Sequence, residues 1–278
     1  METTIVGEIG LNANGDVNIA KKLIDICSDL NIPYVKLQKR DIKICYTKEQ
    51  LDSYRESPWG TTFRQQKKGL EFGLEQYQEI DEYCKEKGNI EWFASPWDMQ
   101  SIAFLDYNFP HIPFLKIPSA KVTDEEYLKK CVDTGFDLIM STGMCDLSML
   151  QKAVLTVKEK LKFLLACTSS YPCPTKDINL NQIKFLSYYF RNPNCAIGWS
   201  DHSANILFPA LSVAFGATMV EVHITTSRCL YGTDQSASLE PEGLRHLVKY
   251  IEAIEIGLGE TDKEIRESEI PIIKKLRG

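Results

Sequence analysis

Short apolar runs alternate with amphipathic stretches almost from one end of the chain to the other. Eight of the runs are short and rich in β-branched or aromatic residues, at 4–10, 34–38, 90–95, 114–117, 137–141, 163–168, 196–200 and 219–223. That length and content predict buried parallel strands. The stretches after them carry apolar residues at helical spacing, at 17–30, 74–87, 99–107, 124–134, 147–160, 180–190, 204–215 and 241–257. Repeated strand–helix pairs predict an α/β chain folded as a (β/α)8 TIM barrel, a single domain over residues 1–278. An open doubly wound sheet would alternate in the same way, but no Gly-rich dinucleotide fingerprint follows any strand.

One connection breaks the rhythm. Residues 39–72 form a long insertion after the second strand, with Pro58-Trp59-Gly60 and the cations Arg55, Arg64, Lys67 and Lys68. A loop longer than about 12–15 residues inside a compact domain is usually functional or disordered. The reading here is that it folds over the barrel mouth, with Arg64 binding an acidic or phosphorylated acceptor; a solvated charged loop is the alternative.

Charged residues interrupt several strand runs. Lys36 lies within Tyr34-Val35-Lys36-Leu37-Gln38 and Lys116 within Phe114-Leu115-Lys116-Ile117, while His202 and His223 close two other runs. Burying such groups is costly unless they meet an opposite charge, a metal or a ligand. In a (β/α)8 barrel, catalytic groups collect at the C-terminal ends of the strands. Those ends read Glu8; Lys36 and Gln38; Ser95; Lys116 and Ser119; Ser141; Ser169; Ser200 and His202; and His223. Alternation puts Lys36 with Gln38, Ser200 with His202 and Glu221 with His223 on shared faces. A lone strand histidine is commonly a satisfied core residue, and a lone serine a cap, but the concentration at one rim points to a site for an anion and a divalent cation. Glu221, two residues deeper than His223, orients a lysine or histidine in this reading.

Composition narrows the classes. Net charge is −6 with acids and bases interleaved, so no basic face points to nucleic acid or an anionic membrane. No apolar run nears the roughly 20 residues that span a bilayer, and the N-terminus lacks a signal-peptide pattern. Nine scattered cysteines, an odd number with no Cys-x-x-Cys, are read as free thiols in a reducing cytoplasm.

Taken in order, Gly7-Glu8-Ile9-Gly10-Leu11-Asn12, Val35-Lys36-Leu37-Gln38, Ser95-Pro96, Lys116-Ile117-Pro118-Ser119, Ser141-Thr142-Gly143-Met144, Cys167-Thr168-Ser169-Ser170-Tyr171-Pro172, Ser200-Asp201-His202 and Asp234 with Ser238-Leu239-Glu240-Pro241 resemble the sialic acid (N-acetylneuraminate) synthase family. The resemblance implies condensation of phosphoenolpyruvate with an amino-sugar aldehyde to a 3-deoxy-2-ulosonic acid, with release of phosphate. It implies Mn2+ or Mg2+ on His202 and His223, and phosphoenolpyruvate on Lys36, Ser95, Lys116, Ser119, Ser141, Ser169 and Ser200. It further puts Glu8 near the reacting water, and Asp234, Gln38 and Tyr171 near the acceptor.

Two positions and the extent of the resemblance depart from the family pattern. Ala13 stands where a histidine is usual, and Lys121 where a glutamate faces the acceptor. The resemblance covers the catalytic barrel and ends where a small antifreeze-like domain normally begins. In the family's dimer that domain lends an arginine to the partner's acceptor pocket, so a homodimer stays open. Two other readings stand beside this one: a metal-dependent barrel aldolase or sugar isomerase, and a non-catalytic sugar-phosphate-binding homologue.

Overall fold

The computed structural model describes residues 3–277, so the outermost residues of the 1–278 domain lie outside it. The chain opens with β1 (Thr4–Gly10), α1 (Val17–Asp29) and β2 (Tyr34–Lys39). Next come α2 (Ile42–Cys45), α3 (Lys48–Asp52), β3 (Tyr54–Ser57), β4 (Gly60–Thr62) and α4 (Phe63–Leu70). The alternation then resumes with α5 (Leu74–Lys87), β5 (Glu91–Pro96), α6 (Met99–Asn108), β6 (Phe114–Ile117), α7 (Glu125–Val132), β7 (Asp137–Ser141) and α8 (Leu147–Val157). It closes with β8 (Leu161–Cys167), α9 (Asn181–Tyr189), β9 (Ala196–Asp201), α10 (Leu207–Ala214), β10 (Met219–His223), α11 (Pro241–Leu258) and α12 (Ile270–Arg277). All eight predicted strands and helices are present, with ends within three residues of the sequence reading.

Strands β1-β10-β9-β8-β7-β6-β5-β2 close into a barrel. The β1–β10 and β1–β2 pairs that complete it are parallel. Aspartates start four of the covering helices: Asp16, Asp98, Asp124 and Asp146 each accept a backbone N–H at the first turn of α1, α6, α7 and α8. Such a cap satisfies a donor that the helix itself leaves unpaired, and contributes about 1 kcal/mol.

Two apolar layers hold the barrel. Outward residues such as Val35, Leu115 and Val220 meet Leu23, Ile24, Ile80 and Leu128 of the helices. Inside, Val6, Phe93, Ile139, Leu165 and Met219 form a separate plug with Tyr34, Phe114 and Phe163. The aromatic members meet edge to face, with Phe93–Phe114 ring centroids 5.7 Å apart. Burying each such side chain stabilises the fold by about 1.5–3 kcal/mol. The plug fills the N-terminal half of the barrel, so the next inward residues along the strands can be polar only because they face the mouth.

The long insertion has secondary structure of its own, so the alternative of a solvated charged loop does not hold. β3 and β4 pair as an antiparallel hairpin, and Thr47 and Thr62 form capping boxes with Gln50 and Gln65 at the starts of α3 and α4. It docks on the segment after β10: Gln66 Nε2 donates to Tyr231 Oη at 2.6 Å, and the Trp59 and Tyr231 rings lie 5.7 Å apart. All nine cysteines are free thiols, five of them buried. Among the described residues, no helix is long and apolar enough to cross a membrane.

Candidate active site

Directly above the apolar plug, the inward positions one pleat further along β1, β2, β6, β9 and β10 are Glu8, Lys36, Lys116, Ser200 and Glu221, all buried. Strand register makes this layer: Glu8 lies level with Lys36 on one side and His223 on the other, and Glu221 lies level with Ser200. Glu221 is its centre. Its carboxylate meets Lys36 Nζ at 2.8 Å and Lys116 Nζ at 3.1 Å, and accepts Ser200 Oγ at 3.0 Å. Lys36 also stands 3.5 Å from Glu8.

These groups set one another's charge. Burial alone would raise the Glu221 carboxyl, but Lys116 and Lys36 outweigh it and hold it well below the usual carboxylate range. Glu8 goes the other way: burial pushes it up to about 7, against the pull of Lys36. Burial draws Lys116 down to about 8 despite Glu221, whereas Glu221 and Glu8 overcome burial at Lys36 and raise it. The layer therefore holds two lysines against one firmly ionised carboxylate, Glu221, and a second carboxyl, Glu8, whose charge comes and goes around pH 7.

The rim above it is made of donors. Gln38, Ser95, Ser119, Ser141, Ser169, Tyr171, His202 and His223 line the same cavity as the charged layer. The hydroxyls of Ser95 and Ser141 are buried without a partner in the chain. Two glycines permit the crowding. A Cβ on Gly143 would lie 2.2 Å from Ser169 Oγ and 2.9 Å from Ser119 Oγ. Gly10, in the left-handed region at φ 50°, lies where a Cβ would meet Glu8 and Gln38. It leaves space for Gln38 Nε2 to donate to Glu8 Oε1 at 2.6 Å.

The two histidines face each other with ring centroids 5.4 Å apart, and the Tyr171 ring packs 4.1 Å from that of His202. His202 Nδ1 donates to the Thr168 carbonyl at 2.9 Å, which leaves Nε2 as the nitrogen for a ligand; burial lowers the ring's pKa, but Cys167 outweighs it and raises it above the ordinary histidine value. His223 is held down to about 4 by burial, and its Nδ1 has no hydrogen bond, with Asp234 Oδ2 at 3.8 Å. No group of three or more His, Cys, Asp or Glu forms a metal cluster among the described residues. Two imidazoles thus fit a divalent ion completed by oxygens of substrate or water, not a closed structural site.

Every predicted residue except Arg64 and Asp234 lines this cavity, and Asp234 stands beside His223. Arg64 is absent from the lining; its guanidinium pairs with Asp52 at 2.7 Å within the insertion. Lys121 likewise turns away, 3.1 Å from Asp124, and Ala13 packs into the outer core. Asp201 accepts from Ser203 N and Trp199 Nε1, a local cap and not a ligand.

Three neighbours escaped the sequence reading. Cys167 lines the cavity 3.8 Å from His202 Nδ1; burial pushes its thiol up, but His202 and Ser169 bring it down to about 7. Trp97 lines the wall, and Arg40 stacks on it with the guanidinium carbon 4.1 Å from the ring centroid. Cys167 carried a signal, since it ends a strand inside the Cys167-Thr168-Ser169 motif. Arg40 and Trp97 lie one step past their strands and carried none.

Comparison with known proteins follows the same lines. The profile described as the NeuB family matches residues 23–263. The chain is 36% identical over 282 residues to N,N'-diacetyllegionaminic acid synthase of Legionella pneumophila, covering 98% of this chain and 78% of that protein. It is 33% identical to human N-acetylneuraminate-9-phosphate synthase, covering 98% of this chain and 76% of that one. The crystal structure of N-acetylneuraminic acid (sialic acid) synthetase from Leptospira borgpetersenii, in complex with citrate, superposes with a TM-score of 0.83 at 32% identity, covering 100% of this chain and 93% of that one. With its barrel, its charged layer and these likenesses together, the chain belongs to the NeuB family.

Proposed function

We propose that this protein condenses phosphoenolpyruvate with an amino-sugar aldehyde to give a nine-carbon 3-deoxy-2-ulosonic acid and inorganic phosphate. The observation that carries the reading is the pair of buried lysines, Lys36 and Lys116, below the unpartnered hydroxyls of Ser95 and Ser141. A carboxylate and a phosphate on one small molecule match that inventory, since charge-assisted hydrogen bonds are the strong ones. Lys36 and Lys116 neutralise phosphoenolpyruvate, and Ser95, Ser119, Ser141, Ser169 and Ser200 orient it. Glu221 keeps both lysines charged and in place.

Glu8 takes a proton from the water that adds at C2, a role suited to a carboxyl raised to about 7. Gln38, Tyr171 and Asp234 hold the acceptor sugar above it. His202 and His223 hold a divalent ion, Mn2+ or Mg2+, which when bound polarises the acceptor's aldehyde as a Lewis acid. Relatives are named for sialic, legionaminic and 9-phosphorylated products, so the acceptor class separates members of one chemistry. Three product carbons come from phosphoenolpyruvate, so a 9-phosphate on the product is a 6-phosphate on the acceptor. An aldolase or sugar isomerase would share the histidines but has no use for so many hydroxyls around two lysines.

Phosphate release from phosphoenolpyruvate with a panel of N-acyl aldohexosamines tests the reading. Release that requires a sugar supports it. No release with any aldose, in the presence of Mn2+ or Mg2+, overturns it in favour of a binding homologue.

A further inference from the structure

A second set of donors gathers on the insertion side of the cavity. Arg40, immediately after β2, is buried, and one of its terminal nitrogens, Nη2, donates to Gln38 Oε1. Its Nε and Nη1 have no hydrogen-bond partner, and neither does the indole Nε1 of Trp97, on whose ring Arg40 lies. Gln38 and Trp97 both line the cavity, and Arg40, which touches both, borders the adjoining cavity with Asp41, Lys68 and Glu71. A hydrogen-bond chain leads to Arg40 from the reacting end: Arg40 donates to Gln38, and Gln38 to Glu8.

A second cation comes from helix α4. Lys67 on α4 lies over the rings of Tyr46 and Phe63, at 5.3 and 5.0 Å, and makes no ion pair among the described residues. Burial and the nearby Arg40 guanidinium draw it down to about 8, against the opposing pull of Asp234 and Glu71, with Arg55 adding repulsion. Two carboxylates therefore share the neighbourhood. Glu71 Oε1 stands 3.6 Å from Arg40 Nη1 and is itself without a hydrogen bond, while its other oxygen accepts the Arg40 backbone N–H at 3.1 Å. Asp234 lies beside His223. Neither satisfies the donors of Arg40 and Trp97. Buried donors without partners are costly, so their persistence as a cluster marks a place for an oxygen-rich ligand.

We propose that Arg40, Trp97 and Lys67 form a second anion subsite, which takes a phosphate carried on the acceptor sugar at the end remote from its aldehyde. The subsite rests on the reading that the acceptor occupies the barrel mouth. Gln38 divides it from the lysines that hold phosphoenolpyruvate, so the two anions are bound separately. The planar fork of Arg40 suits the oxygens of a phosphate, and Lys67 adds a point charge on a flexible stem that can approach from the insertion.

Calorimetry tests this by equilibrium binding, independently of turnover. The probes are N-acetylmannosamine 6-phosphate, the unphosphorylated sugar, the corresponding 6-carboxylate and phosphoenolpyruvate, with wild type, Arg40→Leu and the less buried Lys67→Met. Wild type binds the 6-phosphate at least about tenfold more tightly than the neutral sugar. Each variant loses about tenfold or more for the 6-phosphate and keeps its affinity for phosphoenolpyruvate. Should Arg40→Leu fail to fold, Lys67→Met carries the same test. Equal affinity for phosphorylated and neutral sugars, preference for the carboxylate over the phosphate, or a Lys67→Met variant unchanged toward the 6-phosphate overturns the subsite. Tight sugar-phosphate binding without turnover would instead sink the synthase reading and leave the subsite standing.

Discussion

Glu221 on β10 reaches Lys116 on β6 across the barrel, with Oε2 3.1 Å from Nζ, while its other oxygen stands 2.8 Å from Lys36. One carboxylate thus holds two lysines from separate strands in a buried layer. Removing one partner of a buried ion pair leaves uncompensated charge, at a cost of about 3–5 kcal/mol. Glu221→Ala is therefore expected to lower unfolding stability by that amount in a denaturant titration, and to weaken phosphoenolpyruvate binding. A variant as stable as wild type would remove Glu221 from the centre of the layer.

The pH profile follows from Glu8 and Lys116. Glu8 must be ionised to take a proton, and its folded value is about 7, so activity is lost as pH falls through 7. Lys116 must be charged to hold an anion, and its value of about 8 sets loss of activity as pH rises through 8. The profile of kcat/KM for the free enzyme is then a narrow bell between these limits. Glu8→Gln should lower kcat by about a hundredfold or more with the fold intact, since general base catalysis contributes roughly 10²–10⁴. A flat profile from pH 6 to 9 would contradict both assignments.

Metal dependence is expected through two ligands only. His202→Ala and His223→Ala should each weaken Mn2+ binding, measured by titration calorimetry, and lose metal-dependent turnover. Circular dichroism should be unchanged, because both rings sit at the strand ends above the apolar plug. Full activity of either variant in chelator would remove the ion from the site.

Most of the barrel was legible because its signals are local. The apolar runs that became β1, β6, β7 and β10 were bounded correctly from composition alone, and strand alternation put Lys36 with Gln38 and Glu221 with His223 on shared faces, without saying which face looks inward. Cross-barrel partners were not legible: nothing local says that Glu221 meets Lys116, more than a hundred residues away. The internal order of the insertion was not legible for the same reason. Its order depends on Trp59 and Gln66 meeting Tyr231 from the far end of the chain. Arg64 looked like a site residue from charge and position, but Asp52, also in the insertion, takes its guanidinium.

That pairing changes what Arg64 is expected to do. Arg64 is partly exposed and its ion pair lies at the surface, so Arg64→Ala should shift stability by no more than about 0.5 kcal/mol. The KM for the acceptor should stay unchanged. A tenfold rise in that KM would return Arg64 to the acceptor site.

The fate of oxygen tests the central claim most directly. In the proposed reaction water adds at C2 of phosphoenolpyruvate and the C2–O bond breaks, so the bridging oxygen leaves with phosphate. Run in 18O-labelled water with an N-acyl hexosamine acceptor, the reaction should release unlabelled phosphate in step with a nine-carbon ulosonic acid, both read by mass spectrometry. Phosphate carrying 18O, formed with pyruvate and without the nine-carbon acid, would show cleavage at phosphorus and contradict the account.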